Sequence, residues 1–151
     1  MADVGRAFEL HKDAVYRLAL SYTGNPVQAE DICQSAFMKL VERSRSIPQE
    51  KVKAWLLRVT ANLCKDYLRS FWVRNILPLE QDTQAKENEI TDVWEAVMEL
   101  KPKERAVVYL YYYEGYSTAQ IGTMLGTTQT AVSTRLNRAR NHLKARLEES
   151  V

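Results

Sequence analysis

The chain has 151 residues, 46% of them hydrophobic, and its 21 Lys and Arg nearly balance 19 Asp and Glu. Its five Gly and four Pro are too few for a loop-rich β-sandwich or a disordered chain. The first ten residues carry charges, and no run reaches the roughly 18 apolar residues of a membrane span. We therefore expect a cytoplasmic protein with neither a signal peptide nor a membrane span.

Residues 1–73 are predicted to form three amphipathic helices. Gly24 supplies a natural end for the first helix, Asn25 can cap the second, and Pro26 suits its first position. The apolar stripe of the second helix is Ala29, Ile32, Cys33, Ala36, Phe37, Leu40 and Val41. The third helix repeats the spacing at Val52, Trp55, Leu56, Val59, Leu63 and Tyr67. Three such helices with short loops predict a helical bundle.

Residues 74–91 break this pattern, because they are polar and acidic and show little periodicity. We interpret them as a flexible linker between two helical domains. The fold class predicted is therefore all-α, with one small domain over residues 1–73 and a second over residues 92–151.

The second domain contains the strongest local signal. Ser117 and Gln120 form a capping box that begins a helix of about two turns. Gly126 closes that helix, and Thr127 or Thr128 can cap the long helix that follows. A short capped helix, a tight turn with Gly and a longer basic helix are typical of a helix-turn-helix. A plain helical hairpin is the alternative.

Basic residues accumulate in the last long helix. Residues 127–147 include Arg135, Arg138, Arg140, Lys144 and Arg146 and no acidic residue, whereas residues 74–100 are strongly acidic. A basic segment of this kind indicates a polyanionic partner such as DNA. An ordinary solvated helix face is the competing interpretation.

The sequence contains no motif of catalysis. His11 and His142 fall in different predicted domains, and no Gly-rich phosphate loop, metal-ligand cluster or nucleophile motif is present. Cys33 and Cys64 lie on predicted apolar faces, so we expect free thiols. The sequence therefore predicts no enzyme activity, no cofactor, no metal site and no small-molecule substrate.

Two stretches resemble the extracytoplasmic-function (ECF) sigma factors, the minimal fourth group of the bacterial sigma-70 family. The first combines QAEDICQSAFMKL with AWLLRVTANLCKDYLRS, and the second is LKPKERAVVYLYYYEGYSTAQIGTMLGTTQTAVSTRLNRARNHL. The resemblance covers both domains in the family's order. It implies a sigma region 2 domain over residues 1–73 and a sigma region 4 domain over residues 92–151. The implied partners are core RNA polymerase, promoter DNA and an anti-sigma factor.

The resemblance assigns the second helix to the clamp of core RNA polymerase. Asp31, Gln34, Ser35 and Met38 lie opposite the Phe37 stripe at spacings of three or four residues, so they can meet a partner together. The family commonly has an acidic residue where this chain has Ser35. Plain solvent exposure is the alternative for Asp31 and Gln34.

The third helix resembles the part of region 2 that reads and melts the −10 promoter element. The residues implied in DNA binding are Arg58, Asn62, Lys65, Arg69 and Trp72. Asn62 matches the family's Ala-x-Asn position, which is associated with capture of an unstacked base, and an amide suits this role because it both donates and accepts. Trp72 can stack on a base or pack at the domain edge, and both interpretations stay open.

The last helix resembles the reader of the −35 element. The residues implied in duplex binding are Ser133, Thr134, Arg135, Asn137 and Arg138. The helix departs from the family in two ways. The family often has Pro and Gly where this chain has Thr128 and Thr130, and a basic residue is common where this chain has Ser133. A stand-alone helix-turn-helix regulator, which binds DNA without polymerase, is the competing function.

Overall fold

The computed structural model describes residues 2–74 and 91–149, without the side chains of residues 71–74, 91, 92, 94 and 149. The first domain contains α1 (Val4–Thr23), α2 (Pro26–Arg43) and α3 (Val52–Arg74), with two short 3₁₀ turns between α2 and α3. The second contains α4 (Thr91–Met98), α5 (Pro102–Val108), α6 (Thr118–Leu125) and α7 (Gln129–Glu149), with a π-helical turn at Tyr109–Tyr113. The described ranges contain helices and no strand, so the predicted all-α, two-domain fold is confirmed.

The predicted signals begin and end the helices of the first domain. Gly24 has a φ of 66° and donates its N–H to the Leu20 carbonyl, which closes α1. The Asn25 side chain accepts from the N–H groups of Val27 at 2.9 Å and Gln28 at 3.1 Å. The chain therefore reverses between α1 and α2 within two residues, and the two helices pack side by side.

The apolar stripe of α2 is narrower than the sequence predicts. Ala29, Ile32, Ala36, Phe37 and Leu40 are buried, whereas Cys33 is half-buried and Val41 is 53% exposed. Val41 follows Leu40 by 100° around the helix, and α1 and α3 cover only the side of α2 on which Leu40 lies. The prediction that Val41 belongs to the buried face is therefore wrong.

The two domains pack against each other. Buried residues of both domains belong to one continuous cluster, which includes Leu18 and Leu56 from the first domain and Val107, Leu110 and Ile121 from the second. Helix α5 contacts α1, and helix α6 contacts α3. The expected linker over residues 74–91 lies almost entirely outside the described residues.

Helix α7 is fixed to α4 by charge pairs. Glu99, just after α4, accepts from Arg146 Nε at 2.9 Å and lies 2.8 Å from His142 Nε2. These contacts hold the far end of α7 in place, while its first turns remain beside α6. Within the described ranges, no helix is long and apolar enough to cross a membrane.

Candidate nucleic-acid and partner interfaces

The outer face of α2 presents the four side chains that were assigned to polymerase binding. Asp31, Gln34, Ser35 and Met38 are all exposed, and together they line an open depression with Lys39 and Leu63. The face is exposed because the opposite side of α2 carries the buried residues. Met38 is 61% exposed, which is a large apolar area for a surface position. A flexible thioether among polar groups is a surface that adapts well to a protein partner.

A groove of about 300 Å³ separates α2 from α3 and contains two of the predicted −10 residues. Arg58 and Asn62 are exposed one turn apart on α3. The complete lining is Lys39, Glu42, Arg43, Trp55, Arg58, Val59 and Asn62. The groove thus combines an aromatic ring, an amide, three cations and the carboxylate of Glu42.

Lys39, Arg43 and Trp55 also line this groove, although none of them was predicted as a DNA-binding residue. Lys39 and Arg43 are spaced by four residues, and Trp55, Arg58 and Asn62 follow at three and four. These spacings place each set on one helix face. The spacing within each helix was visible in the sequence. That the two helix faces line one groove was not, because it depends on how α2 packs against α3.

The other predicted −10 residues do not join this groove. Lys65 is half-buried, and its ammonium donates to the Leu125 carbonyl at the end of α6. Burial, followed by the charges of Arg135 and other nearby cations, lowers the pKa of Lys65. Arg69 is paired with Asp66 at 2.9 Å. The side chain of Trp72 lies outside the described residues.

The helix-turn-helix is formed by α6 and α7. Ser117 accepts from the Gln120 N–H at 3.1 Å, and the Gln120 side chain accepts from the Ser117 N–H at 2.9 Å, so the predicted capping box is present. Gly126 has a φ of 70°, and Thr128 accepts from the Ala131 N–H at 3.0 Å to cap α7. The geometry of each terminus follows from its cap.

A close approach of backbones sets the angle between α6 and α7. Gly122 is buried, and a Cβ atom at this position would lie 3.0 Å from the Thr127 carbonyl oxygen and 3.3 Å from the Gln129 nitrogen. Gly122 was not among the residues predicted to shape this motif. An isolated Gly inside a helical pattern can mark such a contact, so a signal was available.

The predicted −35 residues divide into an outer and an inner group. Thr134, Asn137 and Arg138 are exposed, whereas Ser133 and Arg135 are half-buried. The opposite face of α7 carries the buried Val132, Leu136 and Ala139. Arg135 faces the first domain closely enough for its charge to act on Lys65. The outer group alone forms a continuous exposed edge.

Some of the basic residues of α7 are engaged within the protein. Arg140 donates to the Tyr112 hydroxyl at 2.7 Å, and its guanidinium lies over the rings of Tyr111 and Tyr112. Arg146 is paired with Glu99. These residues stabilise the domain. The number of basic residues in α7 therefore overstates the positive charge that is available to a binding partner.

The two cysteines are free thiols. Cys64 is buried and Cys33 is half-buried. Burial raises the pKa of the Cys64 thiol to about 12, so it stays protonated and unreactive at neutral pH. The described residues contain no cluster of His, Cys, Asp and Glu that could hold a metal ion.

A helix-turn-helix with an exposed polar edge, next to a helical domain with a basic and aromatic groove, defines a two-domain protein of the helix-turn-helix DNA-binding class. Two domain families match the chain: Sigma-70 region 2 over residues 7–73 and Sigma-70, region 4 over residues 90–143. The two matches fall on the two helical domains.

Relatives extend the match to most of the chain. The ECF RNA polymerase sigma factor SigL of Mycobacterium tuberculosis is 32% identical over 154 residues, which cover 94% of this chain and 87% of SigL. The RNA polymerase sigma factor SigV of Bacillus subtilis is 28% identical over 145 residues, covering 91% of this chain and 86% of SigV. The chain belongs to the ECF sigma factors of the sigma-70 family, which are transcription initiation factors that act with RNA polymerase.

Solved structures share the fold. The sigma factor RpoE of Bartonella quintana, determined in complex with the anti-sigma factor NepR, matches with a TM-score of 0.79 and 22% identity. The alignment covers 95% of this chain and 96% of RpoE. CnrH, determined in complex with the cytosolic domain of CnrY, matches with a TM-score of 0.68 at 22% identity.

Proposed function

We propose that this chain is a sigma factor of the fourth group that binds core RNA polymerase and reads two promoter elements in different states. Helix α7 binds the −35 element as duplex, and the groove between α2 and α3 captures the melted −10 element. The observation that carries the proposal is the chemical contrast between the two surfaces. One is a polar helix edge, and the other is a recess with an aromatic ring and an amide.

The exposed edge of α7 suits a closed duplex. Thr134, Asn137 and Arg138 project from a rigid helix that fits the major groove, where an amide or a guanidinium can read base edges. Helix α6 braces α7 through the contact at Gly122. Arg135 would join this edge only if it leaves its position beside the first domain.

The groove between α2 and α3 suits an unpaired base. Extrusion of a base costs a few kcal/mol, and stacking on an aromatic side chain returns roughly 1–3 kcal/mol per base. Trp55 lines the groove beside Asn62, and Lys39, Arg43 and Arg58 can neutralise the adjacent phosphates. Binding energy can therefore drive melting without ATP.

The exposed face of α2 is the proposed contact with core polymerase. Asp31 and Gln34 supply polar groups, and Met38 supplies apolar area in the same depression. Ser35 replaces the acidic residue that the family commonly has, which weakens one polar contact. Because promoters and polymerase share the bacterial cytoplasm, the proposal places the chain there.

We also propose an anti-sigma partner that covers these surfaces. The support is the occurrence of RpoE and CnrH, which share this fold, in complexes with NepR and CnrY. Purification of the tagged chain from its unstressed host should yield a second polypeptide in a stoichiometric complex. Recovery of only free or polymerase-bound chain would count against this partner.

Permanganate footprinting tests whether the groove between α2 and α3 acts in melting and the edge of α7 acts in duplex binding. Asn62→Ala should impair melting of a closed promoter, because the groove loses the amide that is proposed to bind the extruded base. Binding of −35 duplex should stay nearly unchanged, because α7 is not altered. Arg138→Ala should weaken duplex binding and spare reactivity on a template with a pre-opened bubble. Lys144→Ala removes the same charge from the same helix outside the proposed contact, so it should change both readouts less.

Salt dependence distinguishes Arg138 from a passive surface residue. A phosphate contact contributes a slope of about −0.9 to the plot of log affinity against log salt concentration. Loss of one phosphate contact in Arg138→Ala should therefore reduce the magnitude of this slope by about 0.9, and Lys144→Ala should leave the slope unchanged.

The footprinting result for Asn62→Ala can contradict the assignment of base capture. If this variant melts promoters like the wild type, base capture is wrongly assigned to Asn62.

A further inference from the structure

A chain of hydrogen bonds connects the exposed edge of α7 to the aromatic turn that follows α5. Arg140 donates from Nε to the Tyr112 hydroxyl at 2.7 Å and from a terminal guanidinium nitrogen to Asn137 Oδ1 at 3.4 Å. Asn137 belongs to the edge that is proposed to read the −35 element, and it lies one helical turn before Arg140. The contact with Arg140 therefore gives the Asn137 amide a preferred orientation.

Arg140 is itself held by two aromatic rings. Its guanidinium carbon lies 5.6 Å from the ring centroid of Tyr111 and 5.7 Å from that of Tyr112. The two rings meet edge to face at a centroid distance of 5.0 Å, and both belong to the π-helical turn Tyr109–Tyr113. The hydrogen bond to Tyr112 is the largest of the effects that raise the pKa of Arg140. Cation–π contacts and a hydrogen bond thus fix this guanidinium in place although it is exposed.

The orientation of Asn137 decides which base edge the amide can read. A side-chain amide has one acceptor oxygen and two N–H donors. Asn reads adenine by accepting from N6 and donating to N7, so this readout needs the oxygen as well as the nitrogen. In this chain the oxygen already accepts from Arg140, and an adenine amino group brought to it would meet the positive charge of the guanidinium. Adenine is therefore disfavoured, and Nδ2 is the group left to face the duplex.

We propose that Arg140 and Tyr112 position Asn137 so that it reads guanine rather than adenine in the −35 element. The inference rests on the function proposed above, which places the edge of α7 in the major groove of this element. Guanine presents two acceptors there, N7 and O6, and no donor. Thymine presents one acceptor beside a methyl group, and cytosine presents an amino donor. An amide whose oxygen is engaged and whose Nδ2 donates therefore fits guanine best.

A direct phosphate contact is the other role open to Arg140. Loss of such a contact weakens binding to every duplex alike and reduces the salt dependence of affinity. Loss of a positioning residue instead changes the ranking of the bases at one base pair. The structure favours positioning, because a move toward phosphate would break the hydrogen bond to Tyr112 and both ring contacts.

Competition binding by the full chain assembled with core polymerase tests the base preference. The competitors are duplexes that differ by single base pairs from a −35 element selected from random DNA. Asn137→Ala first identifies the base pair that Asn137 reads, because discrimination should be lost at that pair. There the wild type should prefer guanine over adenine by about fivefold or more, within the range of a specific base contact. A preference for any other base at this pair would overturn the inference.

Substitutions behind Asn137 test the positioning role. Arg140→Met removes the guanidinium and frees Asn137 Oδ1 to accept from adenine, so the guanine-to-adenine affinity ratio at that pair should fall by about threefold or more. Tyr112→Phe removes only the hydroxyl that holds Arg140, so the ratio should fall by a smaller factor. Lys144→Met removes the same charge from an exposed site two turns beyond Asn137, so the ratio should stay unchanged. Each ratio compares two duplexes on one preparation, so partial unfolding of a variant does not alter it.

The same measurements separate failure of this inference from failure of the proposed function. An unchanged ratio in Arg140→Met would refute positioning and leave α7 as the −35 reader. So would an equal loss of affinity for every duplex with a salt slope reduced by about 0.9, which would identify a phosphate contact. If Thr134→Ala, Asn137→Ala and Arg138→Ala all leave every ratio unchanged, α7 does not read the element, and the proposed function fails together with the inference.

Discussion

Replacement of Tyr22 by Phe removes one oxygen atom from a ring that is only 1% exposed. The hydroxyl has no hydrogen-bond partner among the described residues, and burial raises its pKa well above the ordinary value. A buried, unsatisfied polar group costs about 1–3 kcal/mol of stability. The oxygen-sized cavity that Phe would leave costs only a few tenths of a kcal/mol at about 24 cal/mol per Å³. Tyr22→Phe should therefore stabilise the chain by about 1 kcal/mol.

Tyr109→Phe makes the same chemical change at a hydroxyl that has a partner. The Tyr109 hydroxyl donates to the Glu114 carboxylate, and hydrogen bonds to charged groups contribute about 1.5–3 kcal/mol. This variant should therefore destabilise the chain by about 1–2 kcal/mol. The two substitutions have opposite predicted signs although both delete one phenolic oxygen.

Thermal and urea unfolding, followed by circular dichroism, measure both variants against the wild type. For a chain of this length, 1 kcal/mol corresponds to about 2–4 °C in Tm. Tyr22→Phe should raise Tm by about that amount, and Tyr109→Phe should lower it. A loss of stability in Tyr22→Phe would mean that its hydroxyl has a partner and that the reasoning about its burial is wrong.

The remaining predictions concern the proposed interfaces. Asp31→Ala combined with Gln34→Ala should weaken binding to core polymerase by at most a few kcal/mol in a fluorescence titration, while Glu30→Ala on the neighbouring face should not. Gly122→Ala should destabilise the helix-turn-helix by about 1 kcal/mol in urea unfolding, because backbone contacts at 3.0–3.3 Å outweigh the higher helix propensity of Ala. Burial raises the pKa of Glu114, but its hydrogen bonds hold the net value below the ordinary 4.5, so the ionised carboxylate stabilises the folded chain above about pH 4.5. The free energy of unfolding, measured in urea, should therefore decrease as the pH falls below that value, and Glu114→Gln should lack this step.

The helix termini were predictable because caps are local. Asn25, Ser117 and Gly126 each act through contacts within three or four residues, which the sequence order already contains. The polymerase-binding face proposed on α2 and the duplex-binding face proposed on α7 were predictable for a similar reason. The exposed faces of α2 and α7 lie opposite apolar stripes whose period is visible in the sequence.

The contacts between domains were not predictable in this way. Lys65 and Arg135 were expected beside DNA, yet both lie toward the opposite domain. Arg105 lies in a polar stretch, and nothing local indicates that its guanidinium would be buried and donate to the carbonyls of Ser21 and Tyr22, 84 and 83 residues away. Helical periodicity reports which side of a helix is polar, but it does not report what that side meets.

Run-off transcription with purified core RNA polymerase tests the central claim most directly. The template would carry a promoter selected from random DNA by the assembled complex of chain and core enzyme. Neither component alone should give a discrete transcript, and together they should give one start site that depends on both promoter elements. The contradicting result is tight, sequence-specific duplex binding by the chain alone with no discrete transcript on addition of core enzyme, which would identify a stand-alone helix-turn-helix regulator.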